Sequence, residues 1–365
     1  MSTSLQLIPN IPSPETVTSI TRDGSIAISG INAFSWTGEF MSMITYSPAS
    51  VYTLSFDSNN WPTIEDTWVA GSNFLDIHYF NGITYVSDYN NFMRSLWIDP
   101  LGGINEWATL AEAVKTYSYI TDANGKLVVA NGSKTLTTYS ADASGNLTKL
   151  YSTPAGTYDT LYNIDSNLSG NFVYRCIRRG VNAYVEGFKV ESDGSINFVN
   201  DVSVNCLLID SIKNPNIAVN SNKVFLTVTE IAVYSFDINQ STGALTIDTS
   251  TTVETLATAI GASPDEKYCV VSGFSGPSRG IYLLNSADLS LANSSLSGDW
   301  AYYTKGFEFF GNDKFIGINA IFGISYPGNF TINKSAPIIT ETSKLEINAQ
   351  SGNIFSLGNK LILGI

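Results

Sequence analysis

The chain has 365 residues, a formal net charge of −13 and only 14% charged residues, against roughly a quarter in ordinary soluble proteins. Such an acidic chain repels polyphosphate and anionic lipid, so nucleic-acid binding is not expected. No stretch approaches the roughly 18 apolar residues of a membrane span, so membrane insertion is not expected either. The three cysteines, Cys176, Cys206 and Cys269, are too scattered for a disulfide framework. Each lies in or beside an apolar run and reads as buried, with a Cys176–Cys206 bridge as the other option.

The N-terminal stretch MSTSLQLIPNIPSPE has neither a basic region nor a continuous apolar core, so a secretory signal is not expected. Residues 1–14 read as an arm or an added strand. VTSITRDGSIAISG (17–30) then carries an Asp-Gly-Ser-Ile turn that recurs in FKVESDGSINFVND (188–201). Between these points and beyond, one hairpin pattern repeats eight times: SWTGEFMSMITY, HYFNGITYVSD, YITDANGKLVVANG, NIDSNLSGNFVYRC, AVNSNKVFLTVT, GASPDEKYCVVSG, FFGNDKFIGINA and FSLGNKLILGI. Each copy joins two apolar, β-branched or aromatic segments through a polar turn, the pattern of a half-buried hairpin.

A second, more polar hairpin follows all but the last copy. Examples are SLWIDPLGGINEWATL, TTYSADASGNLTKLYS and VYSFDINQSTGALTIDTS. Helical periodicity is confined to Glu106–Tyr117. The period of roughly 45 residues is that of a four-stranded propeller blade. The expected fold is therefore all-β: an eight-bladed β-propeller closed by pairing the N-terminal half-blade (15–30) with the C-terminal one (352–365). Seven blades is the alternative. Closure would remove exposed sheet edges and make 15–365 one domain.

Two segments carry a family resemblance. SPDEKYCVVSG and VYSFDINQSTGALT, within 231–273, resemble the inner and outer turns of lactonase-like (YVTN-type) propellers. The resemblance covers about one blade and implies a fold. It carries no catalytic residues, because the matching positions build turns.

Chemistry is sparse. His78 is the only histidine, so a two-histidine metal site is excluded and any catalytic triad would have to use it. It lies among alternating apolar residues and reads as a packed or hydrogen-bonded core residue. No cofactor is expected. Asp76, Asp165 and Asp210, near the starts of inner strands, would hold Ca2+ only if they converged on the axis.

Arg94, Arg178, Arg179 and Arg279 all read as lying in loops between the second and third strands of a blade. Tyr89, Asn90, Tyr158, Trp300, Tyr302 and Tyr303 are expected on the same face. Guanidinium groups beside aromatics form a candidate ligand- or partner-binding surface; surface ion pairing is the plain alternative. Seven Asn-x-Ser/Thr sequons occur, as chance would supply in so Asn- and Ser-rich a chain.

An Asn/Ser/Thr/Tyr-rich surface without a signal or disulfides suits a protein made in the cytosol and displayed outside. The leading expectation is a non-enzymatic structural or interaction protein on a virion surface (capsid, spike or decoration). It would contact sibling subunits, as a homo-oligomer, or a host receptor or glycan. The alternatives are a lactonase-like hydrolase acting from the axial channel and a peptide-binding scaffold.

Overall fold

The computed structural model describes residues 7–9, residues 17–334 apart from short intervals (the longest at 112–118, 206–214, 253–258 and 297–302), and residues 354–357 and 360–363. The chain divides into two compact units, 20–331 and the terminal segments 1–19 with 332–365.

In the larger unit, six four-stranded antiparallel sheets follow one another at 31–69, 74–111, 119–152, 160–205, 216–251 and 260–296. A seventh is built from the three strands within 303–334, and Val17–Ser25 and the short Ile28–Ser29 both pair with the outermost of these, Ile324–Lys334. The innermost strands are Ile31–Trp36, Phe74–Phe80, Tyr119–Ala123, Thr160–Ser166, Asn216–Val219, Ile260–Ala262 and Tyr303–Phe309. Each packs beside the next, and the seventh packs beside the first. The fold is a closed seven-bladed β-propeller.

Eight blades are thus corrected to seven. The N-terminal segment does seal the ring, but against Ile324–Lys334 rather than against the C-terminal hairpin. Within FGISYPGNFTINKSAP, expected as a second hairpin, Ile324–Lys334 is one long strand, and Val17–Ser25 supplies the partner it lacks. The eighth copy of the first hairpin does form, as Ile354–Leu357 and Lys360–Leu363. It joins Leu7–Pro9 in a separate three-stranded sheet. The expected helix is absent as far as Ala111: Ile104–Ala111 is the outermost strand of blade 2.

No blade buries its own faces. One apolar cluster joins Ile44, Ala49 and Val51 of blade 1 to Phe74, Val86 and Leu96 of blade 2. Another joins Tyr174, Cys176 and Val185 of blade 4 to Val224, Leu226 and Phe236 of blade 5. At the closing seam Met41, Met43 and Leu54 of blade 1 meet Ile316 of blade 7, and the rings of Phe56 and Phe310 stack 5.0 Å apart. Removing these large side chains from water supplies the main driving force for ring assembly.

The turns follow from their residues. Asn81-Gly82 and Asn124-Gly125 have positive φ at both positions, the geometry of tight type I′ hairpins. In the outer hairpins an acidic or amide side chain folds the loop: Asp99 Oδ1 accepts from the amides of Leu101 and Gly103, and Asp142 Oδ1 from those of Ser144 and Asn146. The glycine in the same turn then docks on the preceding blade. Thr53 Oγ1 donates to the carbonyl of Gly102 at 2.5 Å, Thr138 Oγ1 to Gly194 at 2.5 Å, and Tyr174 Oη to Gly243 at 3.1 Å.

A side chain has no room at these docked glycines. A Cβ on Gly194 (φ +91°) would stand 2.8 Å from Leu150 Cβ, and one on Gly243 (φ +76°) 2.2 Å from the Phe172 ring. Gly38 has a similar φ of +94° with nothing within 4 Å of the same position. Gly194→Ala and Gly243→Ala are therefore expected to cost more than Gly38→Ala, by on the order of 1–3 kcal/mol of overpacking. Equal losses for all three in urea denaturation would show that backbone strain alone, and not docking between blades, sets the cost.

Candidate functional site

The seven inner strands enclose an axial cavity of about 370 Å³, within the size range of small-molecule sites. Ionisable side chains reach it from four different blades: Asp76 and His78 from blade 2, Asp122 from blade 3, Asp165 from blade 4 and Glu308 from blade 7. Ser35, Thr121, Asn163, Ser166 and Asn216 add neutral polar groups.

The backbone fixes most of these groups. Asp76 Oδ2 accepts from the Ile120 amide at 2.7 Å, across to the next blade. Asp165 Oδ1 accepts from Ser166 at 2.8 Å and its Oδ2 from Val219 of the next blade at 2.9 Å. Asn163 Nδ2 donates to Asn216 Oδ1 at 2.7 Å. The inner strands of blades 1, 2 and 4 each carry an irregularity near their start, at 31/33, 74/76 and 161/163. These bulges turn polar side chains toward the neighbouring blade and the axis.

His78 Nε2 lies 2.8 Å from Asp122 Oδ1. Burial alone would lower the imidazole pKa, but the bond to Asp122 and the charges of Asp122, Asp76 and Glu308 outweigh it, so the pKa is raised. Burial pushes Glu308 up to about 7, helped by the nearby charge of Asp165. Burial likewise pushes Asp165 up to about 6, against its amide bonds. Two carboxyls that exchange protons near neutrality, beside a hydrogen-bonded imidazole, form a competent acid–base set.

The arginines are strand residues rather than loop residues. Arg94 lies in Phe92–Ile98, Arg178 and Arg179 end Phe172–Arg179, and Arg279 lies in Ser278–Asn285. Carboxylates already engage three of them. Arg94 pairs with Asp88 at 3.2 Å and Glu106 at 2.8 Å and covers the Trp68 ring. Arg179 pairs with Glu186 and Asp201, and Arg178 stands 3.9 Å from Asp159. Tyr89 and Asn90 are exposed, whereas Tyr158 is buried under the guanidinium of Arg175. Tyr303 begins the inner strand of blade 7, and Trp300 and Tyr302 lie outside the described residues.

Of the ten candidate residues, Arg94, Arg178 and Arg179 thus stand beside acids, Tyr158 is buried, and the side chain of Arg279 lies outside the described residues. Asp210 and Cys206 also lie outside the described residues, and Cys176 and Cys269 are fully buried. Among the described residues, no three His, Cys, Asp or Glu side chains converge closely enough to hold a metal. Of the sequons, Asn131 and Asn167 are buried.

Sequence reasoning missed Asp122 and Glu308. Each is the second-last residue of its inner strand, as Asp165 is, whereas His78 is the third-last. The turns differ in length, so an alignment built on the glycines separates Asp122 and Glu308 from His78 and Asp165.

No family model and no curated protein matches the chain. Solved structures do match, at the level of fold. A periplasmic gluconolactonase from Pseudomonas aeruginosa, PpgL, superposes with a TM-score of 0.60 and 9% identity, over 72% of this chain and 84% of that one. A candidate 6-phosphogluconolactonase from Bacteroides uniformis gives 0.58 and 12%, over 73% and 88%. Sqt1 from Saccharomyces cerevisiae gives 0.56 and 10%, over 95% and 100%. The chain has the propeller fold of which lactonase-like proteins are one group, as the two turn segments suggested. Identities this low establish the fold alone.

Two outcomes are expected. Glu186 is buried between Arg175 and Arg179, so Glu186→Ala strands an internal guanidinium and should cost about 3–5 kcal/mol in chemical denaturation. A loss below about 1 kcal/mol would mean the network is not closed as described. The second concerns pH. Glu308 and Asp165 titrate higher in the folded chain than when unfolded, and His78 does too. Their stabilisation is complete below the unfolded values and is lost as pH rises through the folded ones. Glu308→Gln removes the largest acid contribution. Its Tm relative to the parent should therefore climb between about pH 5 and pH 8; a difference independent of pH would refute the buried-carboxyl assignment.

Proposed function

We propose that the protein is a hydrolase that opens a lactone ring in its axial channel. One observation carries this reading: His78, Asp122, Asp165 and Glu308, from four blades, converge on one polar cavity of about 370 Å³. The likeness of fold to lactonase-like propellers supports it.

The chemistry follows from the protonation states. Near neutrality part of the Glu308 population is ionised and takes a proton from water. The water oxygen bonds to the lactone carbonyl carbon. His78, protonated and held by Asp122, gives its proton to the ring oxygen as the acyl C–O bond breaks. The product is a hydroxy acid. Glu308 returns its proton to His78 through solvent, which restores the site.

The test is lactone hydrolysis by the purified protein, followed by proton release. Glu308→Gln and His78→Gln should each lower kcat by roughly 10²–10⁴-fold, and the parent rate should rise as pH increases through about 7. A protein that opens no five- or six-membered lactone would rule the reading out.

A second reading, a non-enzymatic interaction ring such as a virion surface component, draws on the outermost strands. These expose Ile64, Trp107, Phe198, Ile247 and Leu291, one from each of five blades. Apolar groups at open sheet edges favour contact between subunits. Sedimentation showing a defined oligomer, or detection in purified particles, would favour that reading; a strict monomer would count against it.

A further inference from the structure

We infer that the axial site takes an uncharged, hydroxyl-rich substrate and excludes phosphorylated or carboxylated ones. This rests on the lactone-opening reading for the reaction, but not for the charge selectivity. Four carboxyl groups, Asp76, Asp122, Asp165 and Glu308, line the cavity against one imidazole, His78. No lysine or arginine is among the described lining residues. Even with His78 protonated and Glu308 partly neutral, the wall is anionic.

Three guanidinium groups of the kind that binds phosphate are committed to carboxylates outside the cavity lining. Arg175 is buried against Glu186, Arg179 is held by Glu186 and Asp201, and Arg94 by Asp88 and Glu106. A phosphate has acceptor atoms and negative charge, and this wall offers it chiefly acceptors and negative charge. Two inner-strand amides are also engaged: the Ile120 and Val219 N–H groups donate to Asp76 and Asp165 rather than toward the cavity.

The same wall suits a polyol. Sugar hydroxyls are donors, and ionised carboxylates accept from them in charge-assisted hydrogen bonds. The carboxamides of Asn163 and Asn216 and the hydroxyls of Thr121 and Ser166 offer neutral partners that donate and accept. The cavity is thus acceptor-rich where the ligand would be donor-rich, and it is negative where the ligand must not be.

Two arms test this on the full-length protein. In the first, hydrolysis of glucono-δ-lactone is compared with that of its 6-phosphate. The inference expects kcat/KM to favour the neutral lactone by about a hundredfold or more; comparable values overturn it. In the second, unreactive glucose, glucose 6-phosphate and glucosamine are titrated by calorimetry, which reads selectivity even if no lactone is opened. Binding of glucose with none of the phosphate supports the inference. Binding of the phosphate, of glucosamine alone, or of none of the three overturns it. No lactone turnover with glucose bound would remove the hydrolase reading and leave the charge selectivity standing. Asp76→Asn should narrow the discrimination roughly tenfold, since one fixed charge near the cavity is removed. An unaltered ratio in a folded variant would overturn the electrostatic cause.

Discussion

The outer hairpins of blades 2 to 5 are each held against the blade before by a contact that only glycine permits. The turn brings its carbonyl to a hydroxyl on the neighbouring sheet, as Gly102 does to Thr53 and Gly194 to Thr138, and the missing side chain lets the backbone approach. The apolar clusters lie in the same seams, so the hydrogen bond and the hydrophobic contact fix the same spacing. Blade 6 meets the requirement differently. Its outer turn has Leu289 at φ +58°, fully buried in the cluster shared with Ala218, Phe225 and Val233 of blade 5. The constraint is therefore filled contact between successive blades, and glycine is its usual means.

That spacing determines the axis. Seven inner strands side by side leave a cavity too narrow for a second layer of side chains and wide enough for a small molecule. The amides of one inner strand bind carboxylates of the previous one, as with Ile120 to Asp76 and Val219 to Asp165. The acidic groups are thus part of the joint between blades as well as the lining of the site. Burial that raises Glu308 and Asp165 also makes them costly to ionise, so the chemistry of the channel and the stability of the ring depend on the same protons.

Much of the fold was legible because hairpins are local. Asn-Gly turns, alternating apolar residues and the repeat length all act within one blade and mark it directly. The number of blades was not local. It depended on whether FGISYPGNFTINK forms one strand or two, and on which strand Val17–Ser25 would meet some three hundred residues away, as the Thr18–Asn333 hydrogen bond shows. The site was harder still. His78 and Asp165 were visible as residues, but their convergence with Asp122 and Glu308 arises from ring closure, which no short pattern encodes. The arginines stood out by their expected place on one face beside aromatics, and Arg94, Arg178 and Arg179 each stand within 4 Å of an acid, a pairing that a linear reading does not reveal.

The strand Val17–Ser25 is made before blades 1 to 6, and its partner Ile324–Lys334 only after them. Until that late strand emerges, the first strand has no sheet to join and blade 1 has an open flank at Met41 and Met43. Closure is thus a long-range event with a large loop entropy, and it comes last. A ribosome that stalls or a protease that cuts before the seventh blade would leave six blades with two sticky apolar edges. The ring therefore has a built-in check on its own closure, since only a product that extends through the seventh blade hides the surfaces that chaperones and proteases recognise.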